Sequence, residues 1–550
     1  MNILSHMLEE WLKLPPPETR DIQVERSISV PMPDGAVLLA DRHFPRGGGR
    51  PPLILVRSPY GRRGFWGLLC GRAFAERGFQ VLLQSCRGTF GSGGVLDPFG
   101  PDERRDGLAT VAWMRRQPWY PGAFGTFGPS YLGMVQWAIA ADAGPEHRAI
   151  AAQVTTSDLR APFYGLAGES FSLQTMLGWV AENARQERPF ALLRQMLGGR
   201  RAERRLGRLC GHLPLRDLDR LVTGRRVPFW QEWLAHNEPG DGYWNDRRFQ
   251  DTLPSVTAPV HLLGGWYDFL LPALLRDYAA LREAGRAPHL TVGPWRHADN
   301  ECTPAGIRES LTWLRAHLLG DTSGLRPDPV RIFVTGADEW RDLPAWPPRT
   351  EPAPWYLQAD GGLSPAPPTP SDPDRYTYDP ADPTPNLAGP VGNDGVARVD
   401  NRPLEARADV LTYTGAPLED DMEVAGGVTA DLFVRSSLPH TDFFARLCDV
   451  DPEGESLNIC DALLRLVPGR PSPEPDGTLR VRFALWPAAH RFRRGHRLRL
   501  LVASGAHPRF ARNPGSGEPL ATATTLLRAE QRVFHDPDHP SAIILPVARA

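Results

Sequence analysis

At 550 residues the chain is too long for one ordinary hydrophobic core, so two or three domains are expected. Its 41% hydrophobic and 23% charged residues are those of a soluble globular protein. A formal net charge of -2 gives no electrostatic basis for binding nucleic acid or an anionic membrane. Lys13 is the only lysine, and the arginine excess reads as coding bias rather than function. The basic run Arg194 to Arg208 reads as the solvated face of a helix. Met1 to Pro15 lacks the basic start and continuous apolar core of a signal peptide. No stretch approaches the roughly 20 apolar residues of a membrane span, so a soluble cytoplasmic protein is expected.

In chain order, Val24 to Val30 alternates, Pro33-Asp34-Gly35 turns, and Ala36 to Ala40 is the return strand. Pro52 to Arg57 predicts a strand that runs into the loop Ser58-Pro59-Tyr60-Gly61. Leu68 to Arg77 has helical spacing and stops at Gly78, and Phe79 to Gln84 is a buried strand. Arg104 to Gln117 predicts an amphipathic helix with Leu108, Val111, Ala112 and Met114 toward the core. Ala123 to Phe127 is the next strand and Ser130 to Ala141 the next helix. Strands alternating with helices predict a mostly parallel sheet covered on both faces. From about Ser157 to Thr252 the alternation lapses into helical periods rich in arginine and aromatics, a helical insertion or cap. It resumes at Val260 to Leu263 and Leu290 to Val292, and closes with a helix from about Ile307 to Leu319.

Beyond Pro327 short β-prone segments recur between Pro, Gly and Asp turns. They include Val330 to Val334, Trp355 to Leu357, Val428 to Val434, Phe443 to Val450, Leu498 to Val502 and Ala542 to Pro546. They predict an all-β sandwich, with the proline-rich stretch Gly361 to Pro390 as a long surface connection. The expected organisation is a catalytic α/β domain over 1–156 and 253–326, a helical cap over 157–252 and a β-sandwich over 327–550. The six cysteines, Cys70, Cys86, Cys210, Cys302, Cys448 and Cys460, form no CxxC pair and no metal-spaced cluster. Neither a metal nor a cofactor is expected.

The chemistry concentrates in Phe127-Gly128-Pro129-Ser130-Tyr131-Leu132-Gly133, a serine among small residues at a strand-to-helix corner. Such a corner lifts a serine hydroxyl out of a sheet and aims a helix N-terminus at it. The strict G-x-S-x-G is not met, because Leu132 takes the last glycine's place. Context supplies the rest. Val260 to Gly265 leads into Asp268, and Leu290 to Gly293 leads into His297, which gives the chain order Ser, Asp, His with each residue on a loop after a strand. In that arrangement His297 is the general base and Asp268 fixes its tautomer. His261 lies within a strand and suits a core role, while Asp299 follows His297 too closely to serve as its acid. An oxyanion hole needs two donors. The Tyr131 backbone amide is one, and the Tyr60 phenol is a chemically sound second, although packing within its loop accounts for Tyr60 equally well.

Further motifs stand in order: Pro59-Tyr60-Gly61, Arg87-Gly88-Thr89 with Gly91-Ser92, Gly128-x-Ser130-Tyr131-x-Gly133, Gly265-Trp266-Tyr267-Asp268 and Gly293-Pro294-Trp295-x-His297. Gly336-Ala337-Asp338-Glu339-Trp340-Arg341, Thr441-Asp442-Phe443 and Asp449-Val450 follow. Together they resemble the X-Pro dipeptidyl-peptidase and cocaine esterase family of serine hydrolases across nearly the whole chain. The resemblance implies an α/β-hydrolase core, a helical cap and a C-terminal jelly-roll domain, with Tyr60 and the Tyr131 amide as oxyanion donors. Two departures stand out. Gln84 is followed by Ser85-Cys86 where the family often has Asp, which leaves the charge partner of Arg87 open. Asp268 is followed by Phe269-Leu270-Leu271 where the α-amino acid ester hydrolases carry an acidic pair.

An ammonium there would lose a carboxylate partner, so the expected pocket takes an apolar or aromatic acyl group. Phe269, Leu270, Trp179 and Phe443 are its candidate lining, and Phe163, Tyr164 and Phe171 fit packing of the insertion's own core better. The expected activity is ester hydrolysis through an acyl-enzyme, on a small ester or short peptide substrate. X-Pro dipeptidyl aminopeptidase is the alternative, and would draw on carboxylates such as Glu169 and Glu182. Acyl transfer or cyclisation from the same acyl-enzyme is another, and a carbohydrate-binding protein on an inactive scaffold is the reading from a different class. A homodimer is compatible with any of these.

Overall fold

The computed structural model describes residues 3–47, 49–165, 170–187, 201–297, 299–392 and 396–548. The chain divides into two compact units, Met1–Arg160 with Gly242–Val330, and Ala161–Asp241 with Arg331–Ala550. Each unit is thus assembled from two stretches of sequence.

The first unit opens with helix α1 (Ile3–Leu12) and holds strands β1 (Ile22–Pro31), β2 (Val37–Pro45), β3 (Leu53–Ser58), β4 (Gln80–Ser85), β5 (Phe124–Pro129), β6 (His147–Gln153), β7 (Val260–Tyr267) and β8 (His289–Arg296). They lie in the order β1-β2-β4-β3-β5-β6-β7-β8. The β1–β2 and β2–β4 pairings are antiparallel, and every later pairing from β4–β3 to β7–β8 is parallel. All residues of β3, β4 and β7 are buried, as expected of parallel strands covered on both faces. Helices α2 (Asp102–Met114), α3 (Tyr131–Ala140), α4 (Leu271–Glu283) and α5 (Cys302–Leu319) connect or follow the strands. On one side of the sheet Val30, Leu38, Leu53, Leu55, Leu82, Val111, Phe124 and Ile139 form a common core. Strand β6 and helix α1 are elements that periodicity in the sequence did not single out.

Helix α2 differs from its predicted face. Ala112 is exposed and Leu108 only partly buried, whereas Glu103, Asp106 and Thr110 are buried beside Val111 and Met114. Its inner face is built from polar groups that have partners, which a search for apolar spacing passes over.

In the second unit the all-β part packs around Leu432, Val434, Phe443, Leu447, Leu500 and Val502, with Tyr376, Tyr378 and Tyr413 buried among them. The stretch Gly361 to Pro390 is not a plain surface connection. It contributes strands Gly362–Ser364 and Asp374–Tyr378, the latter paired antiparallel with Ala529–Asp536. Tyr376 and Tyr378 alternate inward there, and the surrounding prolines mark turns rather than a linker. Among its described residues the stretch 161–241 is helical and carries its own aromatic cluster. Phe163 and Phe229 lie 4.5 and 4.9 Å from Trp233, and Phe171 lies 5.6 Å from Trp230. Backbone hydrogen bonds from Gln174 to Pro508 and from Ala511 to Phe171 tie this stretch to the all-β part of its own unit. Within the described part of the basic run, Arg201, Arg204, Arg205 and Arg208 are exposed on a helix while Leu206 is buried; residues 194–200 lie outside the described residues.

Candidate active site

Ser130 stands between β5 and α3 with φ 55° and ψ −122°, a conformation that non-glycine residues rarely adopt. Its surroundings impose that corner. A β-carbon at Gly128 would lie 2.3 Å from Cβ of Leu132, and one at Gly133 would lie 2.6 Å from Cβ of Thr155. The two glycines let the strand end and the helix start pass in contact, and the displaced second glycine is the one that faces Thr155. The Ser130 N–H donates to the Gln153 carbonyl (2.9 Å), and Thr155 Oγ1 donates to the Ser130 carbonyl (3.1 Å), so the end of β6 holds the corner.

The imidazole of His297, one residue beyond β8, joins the other two groups. Its Nε2 lies 2.9 Å from Ser130 Oγ and its Nδ1 lies 2.7 Å from Asp268 Oδ2. Asp268 is fully buried one residue beyond β7, and its Oδ1 accepts the Leu270 N–H at 2.6 Å. Both carboxylate oxygens are therefore engaged and the imidazole has one orientation. Asp299 accepts from the backbone amides of Arg296, Glu301 and Cys302, which shapes the entry to α5 and keeps it off the imidazole. His261 is buried with Nε2 3.1 Å from Thr291 Oγ1, and burial pushes it down to about 4, so it is a neutral core residue.

Tyr60 follows β3. Its ring stacks on Trp66 (5.4 Å, 20°) and meets the Tyr131 ring edge-on (6.4 Å, 75°). Tyr131 opens α3 directly after Ser130. Its phenol donates to Glu103 Oε1 (2.5 Å) and accepts the Phe99 N–H (3.1 Å). Behind it Arg57 donates to Glu103 Oε2 (2.8 Å) and to the Glu103 carbonyl (2.7 Å). Burial, reinforced by the charge of Glu103, pushes the Tyr131 phenol well above its ordinary range. Burial also raises the Glu103 carboxyl, although Arg57 and the Tyr131 hydroxyl pull the other way. This buried group was not legible in the sequence, since Arg57 stands out only as the start of the Tyr60 loop and Glu103 lies in no motif. Arg87 finds its partner in α2, where Asp106 accepts from Nη2 at 2.6 Å and from Nε at 2.9 Å.

Of the candidate pocket residues, Phe269 is partly buried with its ring 4.8 Å from the His297 ring. The side chain of Leu270 is buried, and its amide holds Asp268. Trp179 packs on Phe229 and Trp233 within the second unit. Phe443 is fully buried and packs with leucines and valines of the all-β core. Glu169 lies outside the described residues, and Glu182 sits near the end of the helix Leu173–Asn183. Among the described residues no group of three or more His, Cys, Asp or Glu side chains is disposed to hold a metal ion. No helix among them is long and apolar enough to cross a membrane.

Comparison with known proteins gives the family and the fold. Residues 34–299 match the profile of the X-Pro dipeptidyl-peptidase (S15 family), and residues 324–544 match that of the X-Pro dipeptidyl-peptidase C-terminal non-catalytic domain. The cocaine esterase of Rhodococcus sp. (strain MB1 Bresler) is 33% identical over 580 aligned positions, covering 96% of this chain and 99% of the relative. A putative serine esterase of Mycobacterium bovis is 26% identical, covering 95% of both. Among solved structures an alpha-amino acid ester hydrolase superposes with a TM-score of 0.81 at 23% identity, covering 97% of this chain and 98% of the other. That likeness establishes the fold, an α/β-hydrolase core with a C-terminal all-β domain.

Proposed function

The chain belongs to the X-Pro dipeptidyl-peptidase S15 family of serine hydrolases, and from that premise we propose that it is an esterase for apolar or aromatic acyl groups, acting through an acyl-enzyme on Ser130. The observation that carries this reading is the unbroken relay from Asp268 Oδ2 through His297 to Ser130 Oγ, at 2.7 and 2.9 Å. His297 Nε2 takes the Ser130 proton as Oγ attacks the ester carbonyl, and Asp268 stabilises the imidazolium that forms. The tetrahedral oxyanion accepts from the Tyr131 amide and the Tyr60 phenol. Collapse expels the alcohol, protonated by His297, and water then releases the acid by the same steps in reverse order of proton transfer.

The acyl preference is supported by Phe269 beside His297 and by the lack of any carboxylate in Phe269-Leu270-Leu271. The helical stretch of the insertion is the proposed cap. The kind of ester for which the Rhodococcus relative is named is within the proposed substrate class. A fluorophosphonate probe should label the intact protein and leave Ser130→Ala unlabelled. A panel of p-nitrophenyl acyl esters beside Gly-Pro and Ala-Pro anilides tests the specificity. Faster turnover of the anilides, or a requirement for a free α-ammonium, would overturn the esterase assignment.

A further inference from the structure

Glu103 makes contacts that an ordinary buried ion pair does not need. One carboxylate oxygen, Oε2, accepts from Arg57, and the other, Oε1, accepts from the Tyr131 phenol. Arg57 lies near the end of β3, three residues before Tyr60, and Tyr131 lies directly after Ser130. The carboxylate therefore bridges the two backbone segments that carry the two proposed oxyanion donors. Both ends of the bridge are fixed. Arg57 also donates to Gln84 Oε1 (3.2 Å), whose amide reaches Thr110 Oγ1 (2.9 Å), and the Tyr131 oxygen takes the Phe99 N–H. Arg57, Glu103 and Tyr131 are all buried, which takes the bridge out of competition with bulk water and strengthens its hydrogen bonds. The rings of Tyr60 and Tyr131 meet edge-on, which joins the two segments a second time in front of the carboxylate.

Charge adds a further constraint. A bare carboxylate behind an oxyanion hole would oppose the charge that develops there, and a bare guanidinium would be left buried without its partner. As a pair, Arg57 and Glu103 supply direction without a net charge. We propose that Glu103 is a positioning residue that sets the spacing between the Tyr60 and Tyr131 oxyanion donors, an inference that rests on the esterase reading of Ser130. Small errors in such spacing are expensive in rate, because donors must meet the oxyanion rather than the ground-state carbonyl.

The test uses Glu103→Gln and Tyr131→Phe in the full chain. Fluorophosphonate titration counts reactive Ser130, and p-nitrophenyl ester turnover is expressed per titrated site. Per-site kcat should fall about tenfold or more in each variant, with KM within about twofold. Affinity for an aryl boronic acid, a tetrahedral mimic, should fall in parallel while affinity for the matching carboxylate product holds. The double variant should cost little more than either single one. A per-site kcat and boronate affinity within about twofold of the intact protein, with only the number of reactive sites reduced, would show a merely structural role and overturn the proposal. Tyr131→Phe removes one hydroxyl and keeps the buried ion pair, so it remains informative if Glu103→Gln does not fold. Failure of the intact protein to react with the probe would overturn the esterase reading itself, and the bridge with it.

Discussion

At Ser130 the chain holds a positive φ at a residue with a side chain, and contacts on three sides keep it there: Gly128 against Leu132, Gly133 against Thr155, and the backbone tie to Gln153. Strain of this kind persists only where surrounding structure over-determines it. The companion test at this scale is Tyr60. Tyr60→Phe keeps the stacking on Trp66 and removes only the hydroxyl. Steady-state kinetics on a p-nitrophenyl ester should show kcat lower by about 10²- to 10³-fold with little change in KM, the usual effect of deleting one oxyanion donor. An unchanged kcat would return Tyr60 to a packing role. The proposed triad was legible because Ser130, Asp268 and His297 each sit on a loop after an apolar strand, in an order that chemistry recognises. Glu103 and Arg57 were illegible for the opposite reason: their roles come from a contact between β3, α2 and α3 that no local pattern encodes.

Among elements, α4 carries a group whose titration should be measurable. Asp277 is buried, and its carboxylate accepts from the Ser157 N–H (2.6 Å) and Oγ (2.7 Å), pinning the chain just beyond β6. Burial pushes its carboxyl up to about 7 from an ordinary 3.8, against the pull of the Ser157 hydrogen bonds. Between about pH 4 and 7 the folded chain therefore holds a proton that the unfolded chain has released. This contribution to stability is full below about pH 4 and is lost as the pH rises to 7. Asp277→Asn, which can still accept from the amide and bond the hydroxyl, should flatten the decline of Tm across that interval and stand above the parent at pH 7. An unchanged slope in thermal melts would count against this assignment. The same scale shows where periodicity misleads. Strand β6 escaped notice because His147 and Arg148 open it, and Asp374–Tyr378 was hidden by the prolines around it.

For the whole molecule, the informative division is that of the six cysteines, all free and buried. Cys70, Cys86 and Cys302 belong to the first unit, and Cys210, Cys448 and Cys460 to the second. Burial raises the thiols of Cys86 and Cys460 and pushes Cys210 and Cys448 up to about 12, which leaves them unreactive while folded. Pulse labelling in rising guanidinium should find almost no reactive thiol in the native protein. It should then find two groups of three as the units open in turn; a single six-thiol step would mean one cooperative transition. The alternation of β and α, and the change of texture after Pro327, made the two architectures readable. The allegiance of 161–241 to the second unit was not, because its aromatics say only that they will be buried, not against what.

That divided allegiance has a consequence for how the protein is made. A ribosome delivers residues 161–241 well before it delivers 331–550, although the two stretches belong to one unit. The backbone ties of Gln174 to Pro508 and of Ala511 to Phe171 must wait through the synthesis of Gly242–Val330 for the stretch that completes their unit. During that interval the contacts that 161–241 makes with the later stretch are unmade, and slow translation there would prolong a partly assembled unit of the kind that is prone to aggregate. Heterologous expression should accordingly depend on chaperone supply at the stage before the all-β part emerges, rather than on the stability of the completed fold.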